Sequence, residues 1–204
     1  MKRIVAKLGG SLLELPDWPE RLLAWLAGQE PAQWLLVVGC GPWGDEVRRW
    51  DAHHMLGNAF CHQLCGRLLS LTSEVAARIL SRRRDLPYRV VRVESVESAR
   101  ALTDFAGDDR PRPLLMVLDA GVFLVRGGRG LSRPFPEDWT VTSDSIAAEA
   151  AWCWNADELA LLKSRPPVDP LNWSDAAEQG LVDLEFPRRV ADLRRVTWTD
   201  LRAS

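Results

Sequence analysis

Lysine is scarce in this chain, and its placement is informative. Of 26 basic residues only three are lysines, Lys2, Lys7 and Lys163, the rest being arginine. An ammonium is a compact point charge on a flexible stem, and a guanidinium cannot replace it where one cation must fit beside phosphate oxygens. Lys7 stands two residues before Gly9-Gly10-Ser11, where two successive positions carry no side chain. Bare backbone N–H groups opening toward a helix start form an anion cradle, and Ser11 is a residue that can cap such a helix. A second turn of this kind is Gly39-Cys40-Gly41, and Thr142-Ser143-Asp144-Ser145 opens an alanine-rich run. Asp144 can complement the dipole of that helix, or it can orient a lysine and keep it charged. Lys163 closes the apolar run Glu158–Leu162, and its survival among arginines places it near the same site.

These residues need elements to hold them. Residues 4–8 are apolar and partly β-branched, which reads as a buried strand. "DWPERLLAWLAG" reads as a helix and "QWLLVVGCG" as a second strand running into the second glycine turn. Two helices follow, over "GDEVRRWDAHHML" and the long amphipathic stretch 58–84, which ends in Arg82, Arg83 and Arg84. That basic cluster suits the C-terminal turn of a helix. "YRVVRV", "PLLMVLDAG", "ELALLKS" and "LRRVTW" read as further strands. Between them lie helices over "VESARALTDF", "TSDSIAAEAAWCW", capped by Thr142 or Ser143, and "SDAAEQG"; the Gly- and Pro-rich "GGRGLSRPFPEDW" reads as a loop. Strand–helix alternation of this kind predicts an α/β fold, an open and mainly parallel sheet with helices on both faces. Ligands of such sheets bind at the carboxyl ends of strands, where both glycine turns fall.

Composition narrows the class. At 204 residues with 47% hydrophobic and 26% charged residues, the chain is expected to form one domain over 1–204. A net charge of −2 gives no field toward nucleic acid or anionic membrane. The start "MKRIVAKLGG" lacks a signal-peptide apolar run, and the reading is cytoplasmic. Cys61 and Cys65 at i, i+4, with His62 beside them and His53 and His54 upstream, fall short of a zinc-ligand pattern and read as small core residues. No metal ligands are assigned. Arg48, His53, His54 and His62 read either as lining an acceptor pocket or as helix-surface residues.

Three segments in order, "KLGGS" at 7–11, "VVGCG" at 37–41 and "TSDSIAAEAA" at 142–151, resemble the amino acid kinase family. The resemblance implies a three-layer α/β/α sandwich and ATP-dependent phosphoryl transfer with Mg2+. By that likeness Lys7 and Asp144 would be catalytic. Gly9, Gly10, Ser11, Gly39, Cys40, Gly41, Ser143 and Lys163 would bind nucleotide or phosphate. "EDWTVTSDSIAAEAA" is similar to the branch acting on an aminomethylfuran-methyl phosphate in methanofuran-type cofactor biosynthesis, within one-carbon metabolism. That implies a small phosphorylated substrate, and relatives imply a homo-oligomer. Relatives carry a nucleotide loop where this chain has "SRPPVDP" at 164–170, and prolines remove N–H donors. The alternative is therefore a weak or inactive kinase relative that binds a nucleotide or phosphate as a regulatory or assembly subunit. A third reading is an unrelated α/β protein with structural glycine turns.

Overall fold

Side-chain parity along the strands organises the molecule. The computed structural model describes residues 1–104, 113–127, 133–167 and 172–203. Six strands, β1 (Lys2–Leu8), β2 (Ala32–Val38), β3 (Arg89–Val93), β4 (Leu114–Leu118), β5 (Glu158–Lys163) and β6 (Val196–Asp200), form one sheet in the order β3-β4-β2-β1-β5-β6. Every pairing is parallel. The four central strands, β4, β2, β1 and β5, are buried over most of their length, as near-continuous apolar runs in a parallel sheet should be, while the edge strands β3 and β6 are only partly buried. Successive residues point to opposite faces. Ile4, Ala6, Leu8, Trp34, Leu36, Ala160 and Leu162 thus join a core on one face, and Val5, Leu35, Val37, Leu159 and Leu161 a core on the other.

The helices are α1 (Trp18–Ala27), α2 (Trp43–His54), α3 (Asn58–Ser81), α4 (Val96–Asp104), the short α5 (Ala120–Val122), α6 (Ser143–Trp154), α7 (Trp173–Glu178) and α8 (Phe186–Val190). α1 packs on the face of Ile4 and Leu8; α6, α7 and α8 pack on the face of Val5 and Leu161. Among the described residues no helix is long and apolar enough to cross a membrane.

The first glycine turn differs from its sequence reading. Ser11 caps nothing: Gly9 occupies the N-cap of a short 3-10 turn over Gly10–Glu14, Ser11 lies inside it, and its hydroxyl pairs with Ser164 at 2.8 Å. The true helix begins only at Trp18. Pro16 and Pro19 flank that start, and proline is tolerated in a first helical turn but not inside a helix. Thr142 caps α6, accepting from the Asp144 N–H. Two elements went unread: α5 running into a π-helical turn over Phe123–Gly127, and α8. β6 starts at Val196, not at Leu193. The expected loop 127–139 and the 164–170 segment lie partly outside the described residues, over 128–132 and 168–170.

Candidate active site

Register and parity bring Lys7 and Lys163 together. Lys7 pairs with Leu161 across β1 and β5, so Lys163 sits two residues beyond Lys7 on the neighbouring strand and on the same face. α6 covers that face, and its first turn carries Asp144. The Lys7 ammonium lies 2.8 Å from Asp144 Oδ1. The Lys163 ammonium donates to Asp144 Oδ2 at 2.8 Å, lies 2.8 Å from Oδ1, and donates to the Leu181 carbonyl at 2.8 Å. Lys7 and Asp144 are each 4% exposed. One buried carboxylate is thus clipped between two ammonium groups.

This arrangement fixes the electrostatics. Burial pushes the Asp144 carboxyl up, but the charges of Lys7 and Lys163 and their hydrogen bonds outweigh it and hold the group below its ordinary value. Lys163 goes the other way for a lysine in an ion pair. Burial and then the charge of Lys7 bring it down to about 8, more than Asp144 and Asp183 recover. Two cations share one anion, so the second cation is under-compensated. Asp144 is the one carboxylate that both ammonium groups touch, and a site of two lysines on one directly bonded carboxylate is suited to an anionic ligand.

The glycine turns meet at the carboxyl ends of β1 and β2. The Gly9 N–H donates to the Leu162 carbonyl at 2.8 Å and the Gly39 N–H to the Leu8 carbonyl at 3.0 Å, extending the parallel ladder into both turns. The turns touch backbone to backbone: a Cβ on Gly10 would stand 2.5 Å from Gly41 N, and one on Gly39 2.7 Å from Gly10 N and 3.1 Å from Ser143 Oγ. Left-handed backbone is needed at Gly41, with φ +65°, and not at Cys40. A cysteine is therefore accommodated in the middle of the turn, where its sulfur lies over Gly44. Burial raises the Cys40 thiol.

Two adjoining cavities open here. One of about 540 Å3 is lined by Lys7, Gly9, Gly10, Ser11, Asp144, Lys163, Asp183 and Trp198. A second of about 210 Å3 is lined by Gly39, Cys40, Gly41, His62, Cys65, Leu69, Leu124 and Ser143. Gly10, Ser11, Asp45, Arg48, Trp139 and Thr142 border both. The ten candidate residues thus fall in two groups that share Gly10 and Ser11. Arg48 at the junction pairs with Asp45 at 3.0 Å, and its guanidinium lies 5.1 Å from the centre of the Trp139 ring, whose Nε1–H donates to Asp51 at 2.8 Å.

Other cysteines and histidines separate cleanly. Burial lowers His62, opposed by Glu137 and Asp138. His53 and His54 are exposed near the end of α2 and line neither cavity. Cys61 is buried in the core, and burial pushes the half-buried Cys65 thiol up to about 12. Among the described residues no three His, Cys, Asp or Glu side chains gather as a metal ligand set.

Sequence reasoning missed Asp183 and Trp198. Asp183 sits in a chain segment with no motif around it, so only the fold brings it to Thr142 and Ser145. Trp198 is one of ten tryptophans, and its position over Lys163, 5.4 Å from ammonium to ring centre, follows from β6 pairing beside β5.

No protein-family model matches the chain, and no curated protein matches it by sequence. Solved structures do match. UMP kinase from Ureaplasma parvum is 13% identical with a TM-score of 0.62, over 98% of this chain and 90% of that one. UMP kinase from Bacillus anthracis is 17% identical with a TM-score of 0.58, over 94% and 83%. Aspartate kinase from Synechocystis is 14% identical with a TM-score of 0.59, over 96% of this chain but 38% of that longer one. At these identities the likeness is one of fold: this chain has the open, parallel α/β fold found in UMP and aspartate kinases.

Proposed function

We propose that the chain is an ATP-dependent phosphotransferase of the amino acid kinase kind, acting on a small phosphomonoester. The observation that carries this reading is Asp144 clipped between Lys7 and Lys163 beside two touching glycine turns. Phosphoryl transfer asks for positioning and charge stabilisation more than for covalent chemistry. Two ammonium groups and backbone N–H donors aimed at the equatorial oxygens would provide both. Asp144 would keep the ammonium groups oriented before ligand arrives. The 540 Å3 cavity, whose lining carries Lys7, Arg48, Lys163 and Arg165 beside Asp45, Asp144 and Asp183, would take the triphosphate. Mg2+ would ride on the phosphates, the usual arrangement for this ion, and would neutralise part of their charge.

The 210 Å3 cavity would take the acceptor. A phosphate acceptor is already anionic near neutral pH, so attack on the transferring group needs no general base. This suits the junction: among its described lining residues the one carboxylate, Asp45, is engaged by Arg48. An aminomethylfuran-methyl phosphate, converted to its diphosphate in methanofuran-type cofactor biosynthesis, is the acceptor the sequence resemblance favours.

The test is mass spectrometry of products from a panel of phosphomonoesters with Mg-ATP, run with wild type and Lys7→Ala. A diphosphate product and stoichiometric ADP from wild type alone are expected. A thermal shift with Mg-ATP but no product across the panel would favour the binding-subunit reading; at 100 times its dissociation constant a ligand adds about 2.7 kcal/mol.

A further inference from the structure

Asp183 takes no part in the scheme above, yet it is buried at the edge of the same cavity and touches four donors. Its Oδ2 accepts from the Thr142 N–H at 2.8 Å, the Thr142 hydroxyl at 2.9 Å and the Ser145 N–H at 3.0 Å, and its Oδ1 from the Ser145 hydroxyl at 2.5 Å. The Thr142 hydroxyl in turn accepts from the Asp144 N–H at 3.5 Å. A relay therefore runs from Asp183 through Thr142 to the backbone of Asp144. Two residues earlier in the same segment, the Leu181 carbonyl receives the Lys163 ammonium. Two residues later, the Glu185 N–H donates to the Thr140 carbonyl at 3.1 Å. The stretch 181–185 thus grips both the helix end bearing Asp144 and the lysine that Asp144 clips.

We infer that Asp183 is a positioning residue: it caps α6 from outside the helix, fixes Asp144 between the two lysines, and supplies the second negative charge of a two-lysine, two-carboxylate cluster. A carboxylate in an unrelated loop that only closed a helix end would cap just as well facing solvent. Here it is buried in the wall of the cavity that Lys7, Asp144 and Lys163 also line. Charged groups facing this centre are Lys7 from β1, Asp144 from α6, Lys163 from β5 and Asp183 itself, with Asp45, Arg48 and Arg165 around the cavity. Burial and the neighbouring Asp144 raise the Asp183 carboxyl, while its charge helps hold the Lys163 proton. Only the catalytic consequence rests on the phosphotransferase reading; the charge coupling does not.

Three lysines in the chain make a direct test practical. Protein labelled with 13C at lysine Cε gives three resonances, and Lys163 is identified by its loss in Lys163→Arg. In wild type the Lys163 signal should titrate near 8. In Asp183→Asn its midpoint should fall, with Lys2 unmoved. In Thr142→Ala/Ser145→Ala, which removes two hydroxyl donors and keeps the carboxylate charge, Tm should fall and the Lys163 midpoint should stay. An unmoved midpoint in folded Asp183→Asn, or an equal shift in the double variant, would overturn the inference. Should Asp183→Asn not fold, wild type decides: the Lys163 signal must show a second inflection above the ordinary carboxylate value of 3.8 as Asp183 protonates, and its absence counts against the inference. All of these readouts are independent of phosphoryl transfer, so failure of the proposed activity would be seen separately, as an absent product.

Discussion

At the scale of single residues, Lys163 has the most distinctive behaviour. Its ammonium shares Asp144 with Lys7 and titrates near 8, against 10.5 for a free lysine. With the proposed chemistry, kcat/KM should fall as pH rises through about 8. The fall in kcat should come at higher pH, because bound phosphates favour the charged form. Steady-state kinetics between pH 6 and 10 checks both limbs, and coincident limbs would count against phosphate contact by Lys163. Linkage gives a second sign. The folded value lies below the unfolded one, so the unfolded chain holds more protons from about pH 8 to 10.5. Wild-type stability relative to Lys163→Met should rise with pH across that window, as measured by urea unfolding. Lys7→Ala should lower turnover by about 10²–10³, the loss typical of one preorganised electrostatic donor. Lys7→Arg should recover little, since a planar guanidinium does not fit where an ammonium sits 2.8 Å from Asp144 in a buried slot.

At the scale of elements, the two glycine turns behave as one unit because their backbones touch. Gly39→Ala would place a Cβ 2.7 Å from Gly10 N. Neither turn can yield without disturbing the ladder bonds of Gly9 and Gly39 to β5 and β1. We expect a loss of about 1–3 kcal/mol, typical of overpacking, together with loss of the Mg-ATP thermal shift. Gly28→Ala is the control: φ is −82° and the nearest atom to its Cβ would be 3.5 Å away, so Tm and the ATP response should be kept. Both glycine pairs and the Thr142 cap were legible in the sequence, since each is a local pattern. Only the capping expectation for Ser11 fails, because Ser164 pairs with its hydroxyl from another strand end and Pro16 and Pro19 delay the helix.

At the scale of the whole molecule, the long α3 leaves an apolar flank uncovered. Leu71 and Val75 are 52% and 48% exposed, and with Trp43 they border an apolar cavity of about 270 Å3. We propose that the chain forms a homo-oligomer, as the resemblance implies, and that this flank is where it would form. Light scattering should give a dimer or larger assembly for wild type and a monomer for Leu71→Glu, with the fold and Tm kept. A monomeric wild type at micromolar concentration would remove the proposal.

The sequence by itself determined what repeats locally: apolar runs long enough for buried parallel strands, glycines where backbones must approach, a capped alanine-rich helix, and a lysine kept among arginines. These signals reside in a few adjacent residues, so strand order is not needed to read them. Tertiary structure alone decided that Lys163 stands beside Lys7, because that depends on β5 pairing with β1 in a register that puts both lysines on one face. It also decided that Asp144 is shared between them, that a cysteine is tolerated at position 40 because Gly41 takes the positive φ, and that Asp183 reaches α6 from 38 residues beyond Ser145. Contacts across that many residues carry no local pattern; they exist only once burial of both sheet faces has fixed the order of the strands.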